Sequence, residues 1–566
     1  MAALQRTARV VGLFPNHHNH GEARCTSFGL PQAREDRRVV ASTTGAAKVR
    51  HWEKALRPLI VSGLLFGAVA GTANGQSFTL EEATIASVHA AFERGELTCT
   101  ALVQAYLDRI EALDQATELN AIVVTHPDAV SRAEELDAAY AQDGPVGPMH
   151  CVPMIVKDNY DTFDLQTAGG SKALEGFTPP DDAYQVRVLR EAGAIVLAKS
   201  NMAEWAFSPY QTVSSIAGTT RNAYDLERVP AGSSGGTASA VAANFGLVGL
   251  GTDTGNSIRG PSSHLALVGI RSTLGLTSRD GIIPLYLNRD VGGPMVRTVE
   301  DAVKILGLIA GYDPADPLTL TAIGRTAGDY TAFLDADGLA GARIGVMRAI
   351  SDTDTADPEI LALFNQALAD MEAAGAVLVD PFEVPDFATL REDVWCNTLR
   401  YDLDIYLANT GDPPYDSLQA IYDSSLYSGY IKERMERSLE LDMPPGEQEP
   451  PCTDLYTDPR RVDFRAAVEG AMDEGEVDVV VYPSWSNPPR LVDDLGSPHG
   501  NNSPIIAPHT GQPAMTVPMG FTEAGLPAGL QILARMFDEE AMIRVAYAYE
   551  QVTMHRRPPE GFGPLE

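Results

Sequence analysis

Apolar positions along this chain follow two rhythms. From Thr79 to Asp114 they recur at helical spacing: Leu80, Ala83, Ala86, Val88, Ala91 and Phe92 share one face. Leu102, Tyr106 and Ile110 share another, with Thr98 or Thr100 placed to cap that second helix. Ala121 to Thr125 then reads as a short strand, and the Ala- and Glu-rich stretch to Asp143 as a helix. Turn-rich Pro145 to Pro153 leads into Met154-Ile155-Val156-Lys157-Asp158, a buried-strand pattern ending in a lysine. A helix around 183–192 and a strand over 194–198 follow. Further on, Thr298 caps a helix through Val303, Leu306 and Ile309. Strands are expected at Ile344–Met347, Ala376–Val379 and Val479–Tyr482, with a helix over Pro358–Ala373. Ile505 to Gln531 reads as a hairpin and Glu539–Gln551 as a final helix. Helices alternating with short apolar strands predict an α/β fold.

Two stretches break the rhythm. Phe387 to Leu441 is mostly helical and aromatic, and Met443 to Asp458 is a Pro- and acid-rich exposed loop. The expected organisation is one domain over residues 76–566, with 385–460 as a helical insertion on the substrate side. At 44% hydrophobic and 21% charged residues, the 566-residue chain can bury a large core. Its net charge of -34 repels nucleic acid and anionic lipid, and admits anionic substrates only at a local basic pocket. The plainer reading of that charge is an extracellular or salt-adapted surface.

Residues 1–75 reverse the balance, with 10 Lys/Arg against 4 Asp/Glu. Lys48, Arg50, Lys54 and Arg57 precede the apolar run Leu59–Ala70, and Ala68-Val69-Ala70 and Gly71-Thr72-Ala73 offer small-residue cleavage sites. Residues 48–75 therefore read as a secretory signal peptide, too short to span a membrane. Residues 1–47 are expected to be disordered or to reflect an over-extended start. The expectation is a secreted or periplasmic monomer or homodimer with no stable membrane span. No C-x-x-C pair occurs among Cys25, Cys99, Cys151, Cys396 and Cys452, so neither a zinc site nor a dithiol motif is expected. Cys396 and Cys452 are left to pair in an oxidising compartment or to sit as buried free thiols.

The chemistry concentrates between Ala231 and Pro261. Two serine-bearing glycine loops, one around Ser233-Ser234 and one at Gly251-Thr-Asp-Thr-Gly-Asn-Ser257, bracket a short helix and a short apolar strand. Gly232-Ser233-Ser234-Gly235-Gly236 matches the G-x-S-x-G elbow that would make Ser234 a nucleophile. That elbow needs a strand before it, and Asp225–Ala231 is a loop containing Pro230. No G-x-x-x-x-G-K-[ST] or strand-following G-x-G-x-x-G is present, so a nucleotide site is not expected. None of the 11 histidines forms a metal or triad pattern; His499 and His509 are loop residues near the expected pocket. No metal and no cofactor are expected.

Lys157, the Ser-Ser-Gly-Gly loop and the Gly-Thr-Asp-Thr-Gly-Asn-Ser-Ile-Arg loop together resemble the amidase signature family of serine hydrolases. The likeness extends through Val152-Pro153 to Asp158, Gly193 to Asn201 with Glu204, Gly511 to Ala514 and Gly525 to Gln531, covering roughly residues 78–558. It implies a single three-layer α/β/α domain with a mixed central sheet covered by helices. It implies Ser257 as nucleophile, Ser233 as a bridging serine after a cis peptide bond, and Lys157 as general base. Backbone N–H groups of Thr254, Gly255, Asn256 and Ser257 would form the oxyanion hole, and Ser234 would hold Lys157. Asp253 and Arg259 are expected to pair structurally beside the loop. The plain alternatives are a strand-end surface lysine and loop hydroxyls capping the next helix.

Asn256 stands where the family usually has glycine, and asparagine tolerates left-handed backbone better than other side-chain-bearing residues. A lysine base must be uncharged, so burial has to lower its pKa. The resemblance then implies hydrolysis of a small-molecule, non-peptide carboxylic amide without nucleic acid. Two alternatives remain: a catalytically silent binding protein on the same scaffold, and a subunit of the amidotransferase A type. The aromatics from Trp395 to Tyr430, with Trp485, either line an apolar acyl pocket or form plain core.

Overall fold

Strand β2 (Pro153–Lys157) is buried at every residue, as are β3 (Ile195–Ser200), β6 (Val248–Asp253) and β8 (Val291–Val296). Successive strand side chains point to opposite faces, so complete burial means that both faces of the sheet are covered. This agrees with the three-layer expectation. The computed structural model describes residues 78–565 apart from 393 and 495. The leader assignments over 1–47 and 48–75, with Cys25, lie outside the described residues. Gly75–Glu566 forms one unit.

The remaining strands are β1 (Ile122–Thr125), β4 (Val213–Ser214), β5 (Gly218–Thr219), β7 (Val268–Arg271), β9 (Arg343–Val346), β10 (Val377–Val379), β11 (Val479–Pro483), β12 (Ala514–Phe521) and β13 (Pro527–Leu533). Eleven of them join one sheet in the order β1-β3-β2-β6-β8-β7-β12-β13-β11-β9-β10, while β4 and β5 pair separately. The sheet is mixed. β3-β2-β6 and β11-β9-β10 run parallel, and the pairs between those blocks are antiparallel. The hairpin expected near the C-terminus is β12–β13, although Ala507–Thr510 is a helical turn.

Local sequence explains the helix ends. The Thr98 hydroxyl, not that of Thr100, accepts the Ala101 N–H at 3.1 Å and caps Cys99–Leu113. Thr298 does the same for Val299–Ile309 through Asp301 N–H. The first helix starts only at Ile85, behind a capping box at Thr84, so Thr79 to Ala83 lie outside it. The helical segment expected to flank the site has a core of its own. Leu399, Leu403, Leu407, Ile421 and Met435 pack with Ala168, Phe177, Trp205 and Leu285, apart from the main sheet core.

Two disulfides are present, Cys99–Cys151 and Cys396–Cys452. The second matches one of the two sequence readings, and the first was not anticipated. Cys452 therefore ties the Pro-rich loop down, and Leu455 in the same loop is buried. No described helix is long and apolar enough to cross a membrane.

Candidate active site

β2 and β6 lie side by side and parallel, with Met154 to Val156 opposite Val248 to Leu250. That pairing carries Lys157, the last residue of β2, to Thr252 near the end of β6. Lys157 Nζ lies 2.7 Å from Thr252 Oγ1 and 2.8 Å from Ser233 Oγ, and the whole side chain is buried. Burial brings the Lys157 ammonium down from 10.5 to about 7, against the opposing charges of Asp290 and Asp253. The surface-lysine alternative is thereby excluded.

Ser233 follows a cis Gly232–Ser233 peptide, as the sequence resemblance implied. Only glycine fits at 232, where an added Cβ would lie 2.5 Å from the carbonyl oxygens of both Ser208 and Gln211. Ser234 does not hold Lys157. Its hydroxyl donates to the Thr252 carbonyl at 3.2 Å and accepts the Thr252 N–H at 3.3 Å. Consecutive residues entering the helix Gly235–Ala242 point in different directions, so Ser234 turns to the β6 backbone while Ser233 meets the lysine. The work expected of Ser234 falls to Thr252, whose hydroxyl also accepts from Asn159 Nδ2 at 3.2 Å.

Beyond β6, residues 254–257 form a turn before the helix Arg259–His264. Among the described residues, none of the N–H groups of Thr254, Gly255, Asn256 and Ser257 has an acceptor, and all four residues line one cavity. Native backbone donors are rarely left unpaired, so four in a row on residues that line a cavity mark a candidate place for a ligand oxygen. Ser257 Oγ has no hydrogen-bond partner among the described residues, so the Ser233–Ser257 link is not closed.

Asp253 shapes this turn. Its carboxylate accepts the Ile258 and Arg259 N–H groups at 3.2 and 3.4 Å, and pairs with Arg259 at 3.1 Å and Arg271 at 3.1 Å. Burial pushes the Asp253 carboxyl up, but the two guanidinium groups outweigh it and hold the group below the ordinary range. Arg259 also donates to the Gly255 carbonyl at 2.7 Å. In a trans peptide the following N–H points the opposite way, so this bond turns the Asn256 N–H away from the arginine. Asn256 does not use left-handed backbone. Its side-chain amide instead donates to the Pro209 and Gly232 carbonyls at 3.2 and 3.4 Å, bracing the turn against the loop that bears Ser233.

The cavity measures about 500 Å³. Phe207, Tyr210, Leu285, Tyr286 and Trp395 supply its apolar surface, and Arg434 adds a cation. Asp290, which the sequence pattern did not single out in any role, ties two walls together. It accepts the Thr254 hydroxyl at 2.5 Å and the Leu285 and Tyr286 N–H groups at 2.8 and 3.1 Å. Burial raises its carboxyl to about 6. Of the expected aromatic set, Trp395 lines the cavity, whereas Trp485 is core, stacked on His264 with its indole N–H on the Gly260 carbonyl. Tyr406 is turned away to Asp161, 2.7 Å from its hydroxyl. His509 and His499 sit one layer back, against Trp395 and Tyr210. A second buried lysine, Lys199, is spent on the Tyr160 carbonyl at 2.5 Å and the Thr167 hydroxyl at 3.1 Å. No group of metal-binding side chains occurs among the described residues.

The family model described as Amidase matches residues 101–543. A probable amidase of Arabidopsis thaliana is 32% identical over 526 residues, covering 89% of this chain and 96% of that protein. The A subunit of the glutamyl-tRNA(Gln) amidotransferase of Gloeothece citriformis is 33% identical over 498 residues, covering 84% of this chain and 99% of that one. Among solved structures, the native peptide amidase from Stenotrophomonas maltophilia superposes with a TM-score of 0.76 at 36% identity, over 85% of this chain and 99% of that chain.

Proposed function

The chain belongs to the amidase family and hydrolyses amide bonds, and from that premise we propose an acyl-enzyme on Ser257 with Ser233 and Lys157 as its proton relay. The observation that carries this reading is the buried Lys157 amine, 2.8 Å from Ser233 Oγ, together with four N–H groups at 254–257 that have no acceptor among the described residues. Uncharged Lys157 takes a proton from Ser233 as Ser233 takes one from Ser257. Ser257 Oγ attacks the amide carbon, and the N–H groups of 254–257 hold the oxyanion. One such donor is typically worth about 3 kcal/mol of barrier. The tetrahedral intermediate collapses as the relay returns a proton to the leaving amine. Water then repeats the sequence on the ester, giving the acid and free Ser257.

The test is labelling by a fluorophosphonate together with hydrolysis of simple aryl, alkyl and peptide amides. Ser257→Ala is expected to lose both signals. Labelling that survives in Ser257→Ala would place the nucleophile elsewhere.

The likeness to the A subunits of amidotransferases supports a second reading, in which the chain works only with a partner. Amide hydrolysis by the purified chain alone decides against it. Export is also part of the proposal. Two disulfides fit an oxidising compartment, where such bonds persist. Mature protein that retained residues 1–75 would contradict export.

A further inference from the structure

Arg434 is the single charged side chain lining this cavity, and no carboxylate among the described residues pairs with it. It sits on the helix Lys432–Leu439, where the other charges pair among themselves: Lys432 with Glu436 and Arg437 with Glu433, each at 3.8 Å. Arg434 turns from that surface into the cavity. Among the described residues its guanidinium makes one hydrogen bond, to the Phe207 carbonyl, and no ion pair. Its carbon lies 6.0 Å from the centre of the Phe207 ring, in the same wall. A guanidinium carries five N–H donors in a planar fork suited to a carboxylate. Here most of that fork is unused, half-buried, and shares a cavity with Ser257.

The setting sharpens the point. The chain carries a net charge of -34, so a free carboxylate meets repulsion over most of its surface. Arg434, the one charged side chain in the cavity lining, is the local exception. The rest of the lining is aromatic, aliphatic or neutral polar: Phe207, Tyr210, Leu285, Tyr286 and Trp395 beside the 254–257 turn. An apolar body with one anionic end fits this surface.

We propose that Arg434 is a specificity-determining residue that selects amides whose acyl portion carries a carboxylate on an apolar or aromatic body. The proposal rests on the amidase reading of the same cavity and deepens it. Among the described residues Arg434 bonds none of Lys157, Ser233 and Ser257, so it acts on substrate binding and placement rather than on the chemistry.

The test compares phenylalaninamides that differ only in their N-acyl group: succinyl and glutaryl against butanoyl and pentanoyl, which end in a methyl group instead of a carboxylate. Wild-type enzyme is expected to favour the carboxylate members by at least about tenfold in kcat/KM, carried mainly by KM, as a charge-assisted bond implies. Raising salt from about 0.02 to 0.5 M should shrink that preference. In Arg434→Met the ratio should fall toward one, in Arg434→Glu it should invert, and Arg434→Lys should keep part of it. A wild-type enzyme indifferent to the carboxylate, or an Arg434→Met enzyme that keeps the preference, overturns the proposal. Fluorophosphonate labelling of each variant separates the two readings. Labelled protein without charge preference defeats only the role of Arg434, whereas unlabelled wild-type protein defeats the Ser257 reading beneath it. Loss of folding in Arg434→Met would show as lost labelling, and the Arg434→Lys and salt arms then decide.

Discussion

Replacing Lys157 by methionine should cost the enzyme its activity and make the protein more stable, with a pH signature set by the buried amine. Lys157 titrates near 10.5 in an unfolded chain and about 7 in its buried place. Between those values the unfolded chain holds a proton that the folded one does not, so wild-type stability falls as pH drops from 10.5 to 7. Below about 7 both states are protonated and the loss levels off. A difference of 10.5 against about 7 corresponds to about 5 kcal/mol at 1.36 kcal/mol per unit. Lys157→Met removes that cost. Its stability advantage should be largest below pH 7 and shrink steadily toward pH 10.5. The assay is urea denaturation of both proteins from pH 6 to 10, beside amide hydrolysis over the same range. Wild-type kcat/KM should rise about tenfold per unit below pH 7 and flatten above it, because only the uncharged amine accepts a proton. A stability difference that does not vary with pH, or a rate already flat from pH 5, would refute the reasoning.

Three further outcomes follow from the same contacts. Ser234→Ala should leave the midpoint of the pH–rate profile in place, because Ser234 bonds the Thr252 backbone, whereas Ser233→Ala should abolish turnover; matched pH profiles check this. Asp253→Asn leaves Arg259 and Arg271 buried beside a neutral partner and should destabilise the fold by about 3–5 kcal/mol, read by urea denaturation. Cys452→Ser opens the bond that anchors Cys396 next to Trp395 and should lower stability by about 2–4 kcal/mol while raising KM more than it lowers kcat.

Much of the machinery could be read from the chain because it is written in contiguous runs. Lys157 ends one apolar run and the Ser257 loop follows another, so local pattern places both near strand ends, while the Ser233 loop falls just before a helix within the same thirty-one residues, 231–261. What escaped depends on partners distant in sequence. Thr252 looks like filler in its motif until β2 is laid beside β6. Asp290 matters through Thr254, 36 positions away, and Arg434 through a cavity wall whose Phe207 lies 227 positions away. The pairing of Cys99 with Cys151 likewise follows from the packing of a helix against the approach to β2. Trp485 and Trp395 are chemically alike, and only the fold sorts one into the core and the other into the cavity. Sheet order was equally hidden, since short apolar runs carry no record of which neighbour they join.

The separate core under the helical segment has an evolutionary corollary. The proposed nucleophile, relay and oxyanion donors all come from 157–257, whereas Trp395 and Arg434 come from a block whose apolar side chains mostly pack with one another and with a few loops. Drift within that block can retune which amides are accepted while bond cleavage itself stays intact. Exchanging 387–441 between relatives is therefore the natural route to new substrate ranges on an unchanged reaction centre.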